Sequence, residues 1–412
     1  MPSTLDRQRL SEIAARVSVL QQAQALGMFR PDRIPNVPIP AVPIKAAHFR
    51  SAVSPDCSYR LLSDVLQSAR AKLRVYVYEI KADYLIKLIA DAAARGVDIQ
   101  LMYDRGGTPA EQRDALDQLN VPLKAAPSSG GRSVFTVCHQ KFVVADDASV
   151  VVESANWAET SIPEIHEGDP FQKGNREWLL RIDDRNVARF FGDLFKADWD
   201  VPDLGVPGGL LAQPVEPPGG LLVPAELFAP PAKTFDIGTF DEDLGVMPVI
   251  SPINYFDAIA DLLESATRSI DLQQQYILAG DKVDDLLEVV RRKRQDGCQV
   301  RIIVSSAFAK NWNLSVETLD AAGLKDCLKA LNLKFFTHCH NKGVIVDRAS
   351  VVISSTNWSS NSITKAREAG VLIRSDRLAG YFADVFDEDW KEGLKADDVR
   401  QRLLDIGPER LI

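Results

Sequence analysis

Two stretches of this 412-residue chain carry the same polar side chains at the same spacing. Residues 136–157 and 337–358 align without a gap. The repeated polar positions are His139, Lys141, Asp146, Ser154 and Asn156, and again His340, Lys342, Asp347, Ser355 and Asn357. A pair of His can supply a nucleophile and a proton donor, while Lys and amide side chains neutralise an anion. The duplicated pattern therefore indicates a site for an anionic ester such as a phosphodiester.

Each stretch also has the pattern of two short strands joined by a turn. Apolar runs of strand length separate the polar positions, and Asp-x-Ala-Ser lies between them. His and Lys would then begin one strand, and Ser and Asn would follow the next, at the same edge of a sheet. Two such edges placed face to face would bring two His, two Lys and two Asn into one cleft.

The similarity between the two halves extends beyond these stretches. Residues 68–80 correspond to 265–277, and residues 188–199 correspond to 379–390, with about ten extra residues in the first half within 158–174. We predict an α/β fold of two homologous domains, each a mixed β-sheet flanked by helices, packed about a pseudo-dyad with the site between them. The predicted bounds are 1–47 for an N-terminal helix and extended tie, 48–200 for the first domain, 201–233 for a Pro/Gly-rich linker and 234–412 for the second domain.

The repeated motif resembles that of the phospholipase D superfamily, HxK-x4-D-x6-G-S-x-N, and the resemblance covers both halves. The Gly that usually precedes the Ser is replaced by Glu153 and Ser354. The resemblance implies a two-step reaction through a phosphohistidine, with no metal or other cofactor. It favours His139 as the nucleophile and His340 as the general acid.

The remaining motif residues then receive roles from the chemistry of a phosphodiester. Lys141 and Lys342 would neutralise its charge. Hydrogen bonds to the phosphate oxygens would come from Asn156 and Asn357 and from the hydroxyl groups of Ser154 and Ser355. Strand alternation predicts that Glu153 faces away from Ser154.

Four further carboxyl groups are candidates for the site. Glu177 and Glu368 follow the motif His of their own halves by 38 and 28 residues, and resemble the family's downstream carboxylates that hold the second nitrogen of each imidazole. Asp146 and Asp347 have two interpretations that the sequence leaves open. They are either catalytic acids or residues that form the turn beside the site.

The composition of the chain limits the expected classes of substrate and the expected cellular compartment. The net charge of −9 disfavours a long nucleic-acid footprint, and the one dense basic run, 291–294, lies opposite an apolar helix stripe. No apolar run approaches the ~20 residues that span a bilayer. The N-terminus lacks a signal-peptide pattern, and five Cys without metal-type spacing fit a reducing compartment. We predict a cytoplasmic protein, and the repeated PGGLL of the linker offers transient contact with a membrane surface.

The sequence thus predicts a phospholipase D-type phosphodiesterase that hydrolyses or transesterifies a phospholipid. Two alternatives stay open: a metal-independent nuclease of the same superfamily acting on DNA or RNA, and an inactive scaffold that binds phosphate groups. Both His are intact, which favours an enzyme over a scaffold. The predicted partner is a phospholipid or another phosphodiester, with nucleic acid the less favoured choice.

Overall fold

Strands from both halves form a single sheet in this computed structural model, which describes residues 29–203 and 229–399. The strands of the first half are β1 (Ile44–Ser54), β2 (Lys72–Val77), β3 (Asp98–Tyr103), β4 (Leu123–Ala125), β5 (Phe142–Ala145), β6 (Ser149–Glu153) and β7 (Glu177–Ile182). Those of the second half are β8 (Gly238–Ser251), β9 (Ser269–Gln274), β10 (Gln299–Val304), β11 (Leu328–Ala330), β12 (Lys342–Val346), β13 (Ser350–Ser354), β14 (Glu368–Arg374) and β15 (Leu394–Lys395).

The helices of the described residues are similarly arranged in the two halves. The first half contains α1 (Ser58–Ser68), α2 (Asp83–Ala94), α3 (Ala110–Asp117) and α4 (Arg185–Trp199). The second half contains α5 (Tyr255–Glu264), α6 (Asp281–Gln295), α7 (Ala309–Ala321), α8 (Ser360–Thr364) and α9 (Asp376–Glu392). Short 3-10 helices occur at Pro31–Arg33, Gly130–Arg132 and Lys325–Cys327.

Seven strands have the same order in both halves when it is read outward from the centre, and the second half adds β15 at its outer edge. The order runs β1-β7-β6-β5-β2-β3-β4 on one side and β8-β14-β13-β12-β9-β10-β11-β15 on the other, and β1 pairs antiparallel with β8. The predicted α/β fold of two homologous halves is confirmed, and their sheets are joined edge to edge. The predicted N-terminal helix and the two PGGLL segments lie outside the described residues.

The helices cover the sheet in two different ways. Helices α1 and α2 pack on the first half, and α5 and α6 pack on the second half, each pair closing its own apolar core. Helices α4 and α9 instead contribute to a third core that contains strand residues of both halves. Apolar side chains recur at three- and four-residue spacing along α4, which gives this helix one buried face. The halves therefore share a core as well as a sheet.

Trp178 of β7 packs against residues of the second half within this core. Its ring packs against Phe382 of α9, with ring centroids 4.8 Å apart, and covers Gly343 of β12. A Cβ atom at Gly343 would lie 2.2 Å from the indole, so a larger residue would displace Trp178. The corresponding residue of the first copy is Phe142, so the repeat has diverged to fit this contact.

Two buried ion pairs also cross between the halves. Arg367, just before β14, binds Asp198 of α4, with Nη2 to Oδ1 at 2.7 Å. Arg176, just before β7, binds Asp389 of α9 at 3.0 Å and Asp56 at 3.2 Å. A buried charge is costly unless it is paired, so Asp198 and Asp389 hold each Arg to the opposite half, and Arg176 has Asp56 of its own half as a second partner.

Removal of Asp198 should test how much the crossed pair contributes to stability. In Asp198→Ala the guanidinium of Arg367 stays buried without its counter-charge, and we expect the free energy of unfolding to fall by ~3–5 kcal/mol. Urea unfolding followed by tryptophan fluorescence would measure this change. Asp91→Ala, which removes the exposed pair of Asp91 with Lys87, is the control, with an expected loss below ~1 kcal/mol. Equal losses in the two variants would contradict the prediction.

Candidate active site

His139 and His340 face each other where the two halves meet. Each imidazole is buried and lies a few residues ahead of the hairpin that follows it, and the ring centroids are 6.3 Å apart with the ring planes at 73°. Backbone hydrogen bonds to the opposite half fix both positions. The amide of His139 donates to the carbonyl of Arg367 at 2.8 Å, and the amide of His340 donates to the carbonyl of Arg176 at 3.2 Å. The same two Arg that carry the crossed ion pairs therefore also hold the imidazoles.

Each imidazole is oriented by a carboxylate of the other half. Nδ1 of His139 lies 2.9 Å from Oε2 of Glu368, and Nδ1 of His340 lies 2.6 Å from Oε1 of Glu177. Chain order had associated each Glu with the His of its own half, and that pairing is wrong. The segments before β5 and β14 run side by side, as do those before β12 and β7, so Glu368 begins β14 opposite His139 and Glu177 begins β7 opposite His340.

Two buried groups of the site, His139 and Glu177, have pKa values shifted from their ordinary ranges. Burial lowers the pKa of His139 to about 4; Glu368 opposes this shift, and Lys141 and Lys342 reinforce it. The imidazole of His139 is therefore neutral at pH 7. Burial alone would raise the pKa of Glu177, but His340, Lys342 and the Ser154 hydroxyl outweigh it and hold the pKa below its usual range. A carboxylate anion thus lies beside His340.

The cationic and amide side chains of the motif are buried next to these rings. Nζ of Lys141 is 2.7 Å from Nε2 of His139, whereas Nζ of Lys342 donates to the backbone carbonyl of His340. Asn156 and Asn357 follow β6 and β13 and are buried. Within the described part of the chain, the side-chain amide of Asn357 has no hydrogen-bond partner. An anion between the imidazoles would find two ammonium groups and amide donors in place.

Ser154 and Ser355 have a different function from the predicted one. The hydroxyl of Ser154 donates to Oε2 of Glu177 at 2.6 Å, and that of Ser355 donates to Oε2 of Glu368 at 2.7 Å. A hydroxyl has a single proton, so a hydroxyl bound in this way cannot also donate to a phosphate oxygen. The prediction that both Ser donate to phosphate is corrected: they orient the carboxylates that hold the imidazoles.

Ser161 is a site residue that sequence reasoning missed. It follows Trp157 by four residues, as Ser362 follows Trp358, and its hydroxyl donates to Oε1 of Glu177 at 2.9 Å. Asn175 in turn donates to the Ser161 hydroxyl at 2.9 Å. The corresponding atom of the other carboxyl, Oε1 of Glu368, has no hydrogen-bond partner among the described residues. Ser161 therefore gives Glu177 a further donor, and the recurrence of Ser at the same spacing in both halves is the signal that could have suggested it.

Asp146 and Asp347 lie away from the imidazoles, at the far ends of β5 and β12. Asp146 accepts hydrogen bonds from the backbone amides of 70–72, and Asp347 accepts them from those of 267–269. Both residues have positive φ angles, 55° and 56°, as hairpin turns of the primed type require. Of the two interpretations, this geometry supports the turn rather than the catalytic acid.

Glu153 takes the position of the missing Gly and is fully buried at the end of β6. Its Oε1 accepts a hydrogen bond from Nε1 of Trp157 at 2.7 Å. Ser154, one residue later, bonds to Glu177, so the two neighbouring side chains have different partners. Burial raises the pKa of Glu153 to about 8, an effect that Trp157 opposes and Glu177 reinforces. Glu153 is therefore mostly protonated at pH 7.

The described ranges, 29–203 and 229–399, contain no group of three or more His, Cys, Asp or Glu that could hold a metal ion. In those same ranges no helix has both the length and the apolar character needed to cross a bilayer. All five Cys are buried and unbridged, and the pKa of both Cys138 and Cys339, next to the imidazoles, is raised by burial. Neutral thiols of this kind have little nucleophilic character.

Comparisons with known proteins agree with this geometry. A family model described as "Cardiolipin synthase, PLD-like domain" matches residues 62–199 and 259–390, one match in each half. The mitochondrial cardiolipin hydrolase of Chlamydomonas reinhardtii is 28% identical over 130 residues, which is 32% of this chain. The chain spans about half, 55%, of the length of that relative.

Two solved structures share the two-half architecture. Phosphatidylserine synthase of Haemophilus influenzae superposes with a TM-score of 0.60 at 15% identity, over 87% of this chain and 93% of that one. Polyphosphate kinase of Porphyromonas gingivalis superposes with a TM-score of 0.52 at 11% identity, over 82% of this chain and 46% of that one. At these identities the likeness shows the fold.

Glu153→Gln should stabilise the protein in a pH-dependent way. The folded state keeps the Glu153 proton up to about pH 8, whereas the unfolded chain loses it near the ordinary carboxyl pKa, so wild type loses stability as the pH rises through this window. Gln keeps the Trp157 hydrogen bond and has no proton to lose. Its advantage should be small at pH 4 and grow by at most about 1.4 kcal/mol per pH unit towards pH 8.

Urea unfolding at pH 4, 6 and 8 measures this advantage. The exposed Glu159→Gln serves as the matched control and should show no such growth. An advantage of the same size at all three pH values would mean that ionisation of Glu153 is not its cause.

Asp146→Ala should affect stability far more than chemistry. Three backbone amides lose their acceptor, which should cost ~1–3 kcal/mol of unfolding free energy. Turnover of bis(p-nitrophenyl) phosphate by the folded protein should stay within about tenfold of wild type, because no reacting group is lost. Asp146→Asn, which keeps an acceptor oxygen and tolerates positive φ, should recover part of the stability. A fully folded Asp146→Ala as inactive as His139→Ala would restore the catalytic interpretation.

Proposed function

Because this chain belongs to the phospholipase D superfamily of phosphodiesterases, through the cardiolipin synthase-like family, we propose that it cleaves the headgroup phosphodiester of a phospholipid through a phosphohistidine intermediate. The supporting observation is the pair of facing imidazoles, 6.3 Å apart, each held at Nδ1 by a carboxyl group of the opposite half. A phosphorus atom placed between the two rings would have one Nε2 on each side.

In the first step His139 attacks phosphorus. Its Nδ1–H is held by Glu368, so the lone pair is on Nε2, and its lowered pKa keeps it neutral and nucleophilic. A P–N bond forms while the P–O bond to the headgroup alcohol breaks. His340, stabilised as an imidazolium by the ionised Glu177, transfers its Nε2 proton to the departing oxygen.

In the second step His340 acts as a base. It takes a proton from water, or from an acceptor alcohol, as that oxygen attacks phosphorus and the P–N bond breaks. His139 leaves as a neutral imidazole, and the products are the headgroup alcohol and phosphatidic acid, or a new phosphatidyl ester. Lys141 and Lys342 balance the charge of the phosphate oxygens in both steps, with amide donors from Asn156 and Asn357.

Several observations favour a lipid over a nucleic acid as substrate. The chain carries a net charge of −9, whereas nucleic-acid surfaces are basic. The basic run of α6 is engaged: Arg291 pairs with Glu288, Arg292 with Glu264 and Arg294 with Asp326. By name, the curated relative acts on cardiolipin and one structural relative makes phosphatidylserine.

The assignment of the two His is tested with substrates that have leaving groups of different basicity. His139→Ala and His340→Ala should each lower turnover of phosphatidylglycerol by ~10³ or more, because a nucleophile or a proton donor is lost. Nitrophenolate needs no proton to leave. With bis(p-nitrophenyl) phosphate, His340→Ala should therefore release a burst of one equivalent and then stall as the phosphohistidine, while His139→Ala should release none. Alkaline quenching and peptide mass spectrometry would locate the phosphate on His139.

The substrate class is tested in parallel with EDTA present. Vesicles of phosphatidylcholine and of phosphatidylglycerol are offered beside labelled single- and double-stranded DNA and RNA. Release of headgroup with phosphatidic acid, absent in His139→Ala, would support the proposal. Cleavage of nucleic acid alone would move the protein to the nuclease alternative. Binding of phosphodiesters without cleavage of any of these substrates would favour the scaffold.

A further inference from the structure

A buried carboxylate that binds neither imidazole lies behind the nucleophile side of the site. It belongs to Asp104, which directly follows β3 and is 2% exposed. The carboxylate accepts four hydrogen bonds: Oδ2 from the Cys138 amide at 3.1 Å and the Ser128 hydroxyl at 2.5 Å, and Oδ1 from the amides of Gly106 at 2.9 Å and Gly107 at 3.3 Å. Within the part of the chain that the structure describes, no Lys or Arg side chain bonds to this group.

The bond to Cys138 fixes the backbone that carries the nucleophile. Cys138 immediately precedes His139, and the segment is held from two sides. On one side the amide of Arg367 donates to the carbonyl of Val137, and the amide of His139 donates to the carbonyl of Arg367, both at 2.8 Å. On the other side the carboxylate of Asp104 accepts the Cys138 amide. The position of the imidazole therefore depends on both contacts.

The bonds to Gly106 and Gly107 reach the imidazole by a second route. They fix the loop that follows β3, and Gly107 of this loop packs against Tyr78, because a Cβ atom there would be 2.8 Å from the Tyr78 ring. The Tyr78 ring in turn lies 4.8 Å from that of His139, centroid to centroid. One carboxylate thus holds the backbone before the imidazole and the loop behind the ring that packs on it.

The repeat places Ser305 at the position of Asp104. Its hydroxyl oxygen accepts from the amide of Cys339, the residue before His340, at 3.4 Å and from the amide of Ala307 at 3.2 Å. An acceptor at this position therefore recurs in both halves. A carboxylate costs more to bury than a hydroxyl group, and burial raises the pKa of Asp104 while its four hydrogen bonds oppose this shift. The costlier group lies on the side of the imidazole that attacks phosphorus.

We propose that Asp104 is a positioning residue that holds the imidazole of His139 in line for its attack on phosphorus. The inference rests on the proposed function, in which Nε2 of His139 forms the P–N bond. Asp104 does not bond to the imidazole itself and acts through Cys138 and through the loop packed on Tyr78. A nucleophile misplaced by about 1 Å can attack ~10²-fold more slowly. Loss of the carboxylate should therefore slow the attack and leave substrate binding largely unchanged.

The first turnover of bis(p-nitrophenyl) phosphate isolates this step, because nitrophenolate leaves without a proton. Asp104→Ser installs the residue of the second half and should lower the first-turnover rate constant by at least ~10-fold. The substrate concentration that gives half the maximal rate should change by less than about threefold. Asp104→Asn, which keeps the shape and one acceptor oxygen, should retain part of the rate. Asp193→Ser, the same substitution at an exposed Asp of α4, is the control and should change neither quantity.

Proton NMR follows the imidazole without reference to activity. The Nδ1–H of His139, held by Glu368, should give a downfield resonance that is identified by its loss in His139→Ala. In Asp104→Ser this resonance should broaden by exchange with water, at a temperature where circular dichroism shows the variant folded, while that of His340 persists.

The outcomes separate this inference from the proposed function. An unchanged His139 resonance in Asp104→Ser, or a first-turnover rate constant equal to that of an active wild type, would overturn the inference alone. A wild type that hydrolyses neither bis(p-nitrophenyl) phosphate nor any phospholipid would overturn the proposed function, and the inference with it.

Discussion

The crossing of two pairs of backbone segments is the constraint on which the rest of the structure depends. The segment before β5 runs beside the one before β14, and the segment before β12 runs beside the one before β7. At each crossing an Arg carbonyl accepts a hydrogen bond from the backbone amide of His139 or His340. The Arg side chain pairs with a carboxylate of the opposite half, and the next residue, a Glu, binds the opposite imidazole.

One consequence is that neither half contains a complete site. Each half supplies an imidazole that lacks its carboxylate and a carboxylate that lacks its imidazole. Separating the halves would also leave Arg176 and Arg367 without Asp389 and Asp198, a large penalty for buried charges. The site is therefore complete only when the two halves are docked, and the shared core around Trp178 stabilises the docked arrangement.

Much of this organisation could be predicted from the sequence, because a gapless repeat fixes which residues are equivalent and strand periodicity fixes which ends they occupy. The repeat and the strand periodicity together predict that His139 and His340 lie close to each other. The crossed pairing of Glu177 and Glu368 could not be predicted, because the spacing of residues along a chain does not show which other segment each residue lies beside. The role of Ser154 depends on where a single hydroxyl proton goes, and that of Asp146 on three amides some seventy residues earlier. Ser161 and Ser362 occupy equivalent positions of the repeat, but spacing alone does not show that Ser161 donates to Glu177.

The departures from symmetry also explain how one half can tolerate a Glu where the family usually has Gly. The lowered pKa of Glu177 keeps this carboxyl group ionised beside His340, and a second charge at Glu153 would oppose that ionisation. The structure keeps Glu153 buried and bound to the Trp157 indole, where it is mostly neutral at pH 7 and adds no second charge. The second half fills the same position with Ser354, whose hydroxyl bonds to Thr356. Glu153 is therefore compatible with an anionic substrate as long as its carboxyl group stays protonated. Burial keeps this carboxyl group protonated, and burial also lowers the pKa of His139.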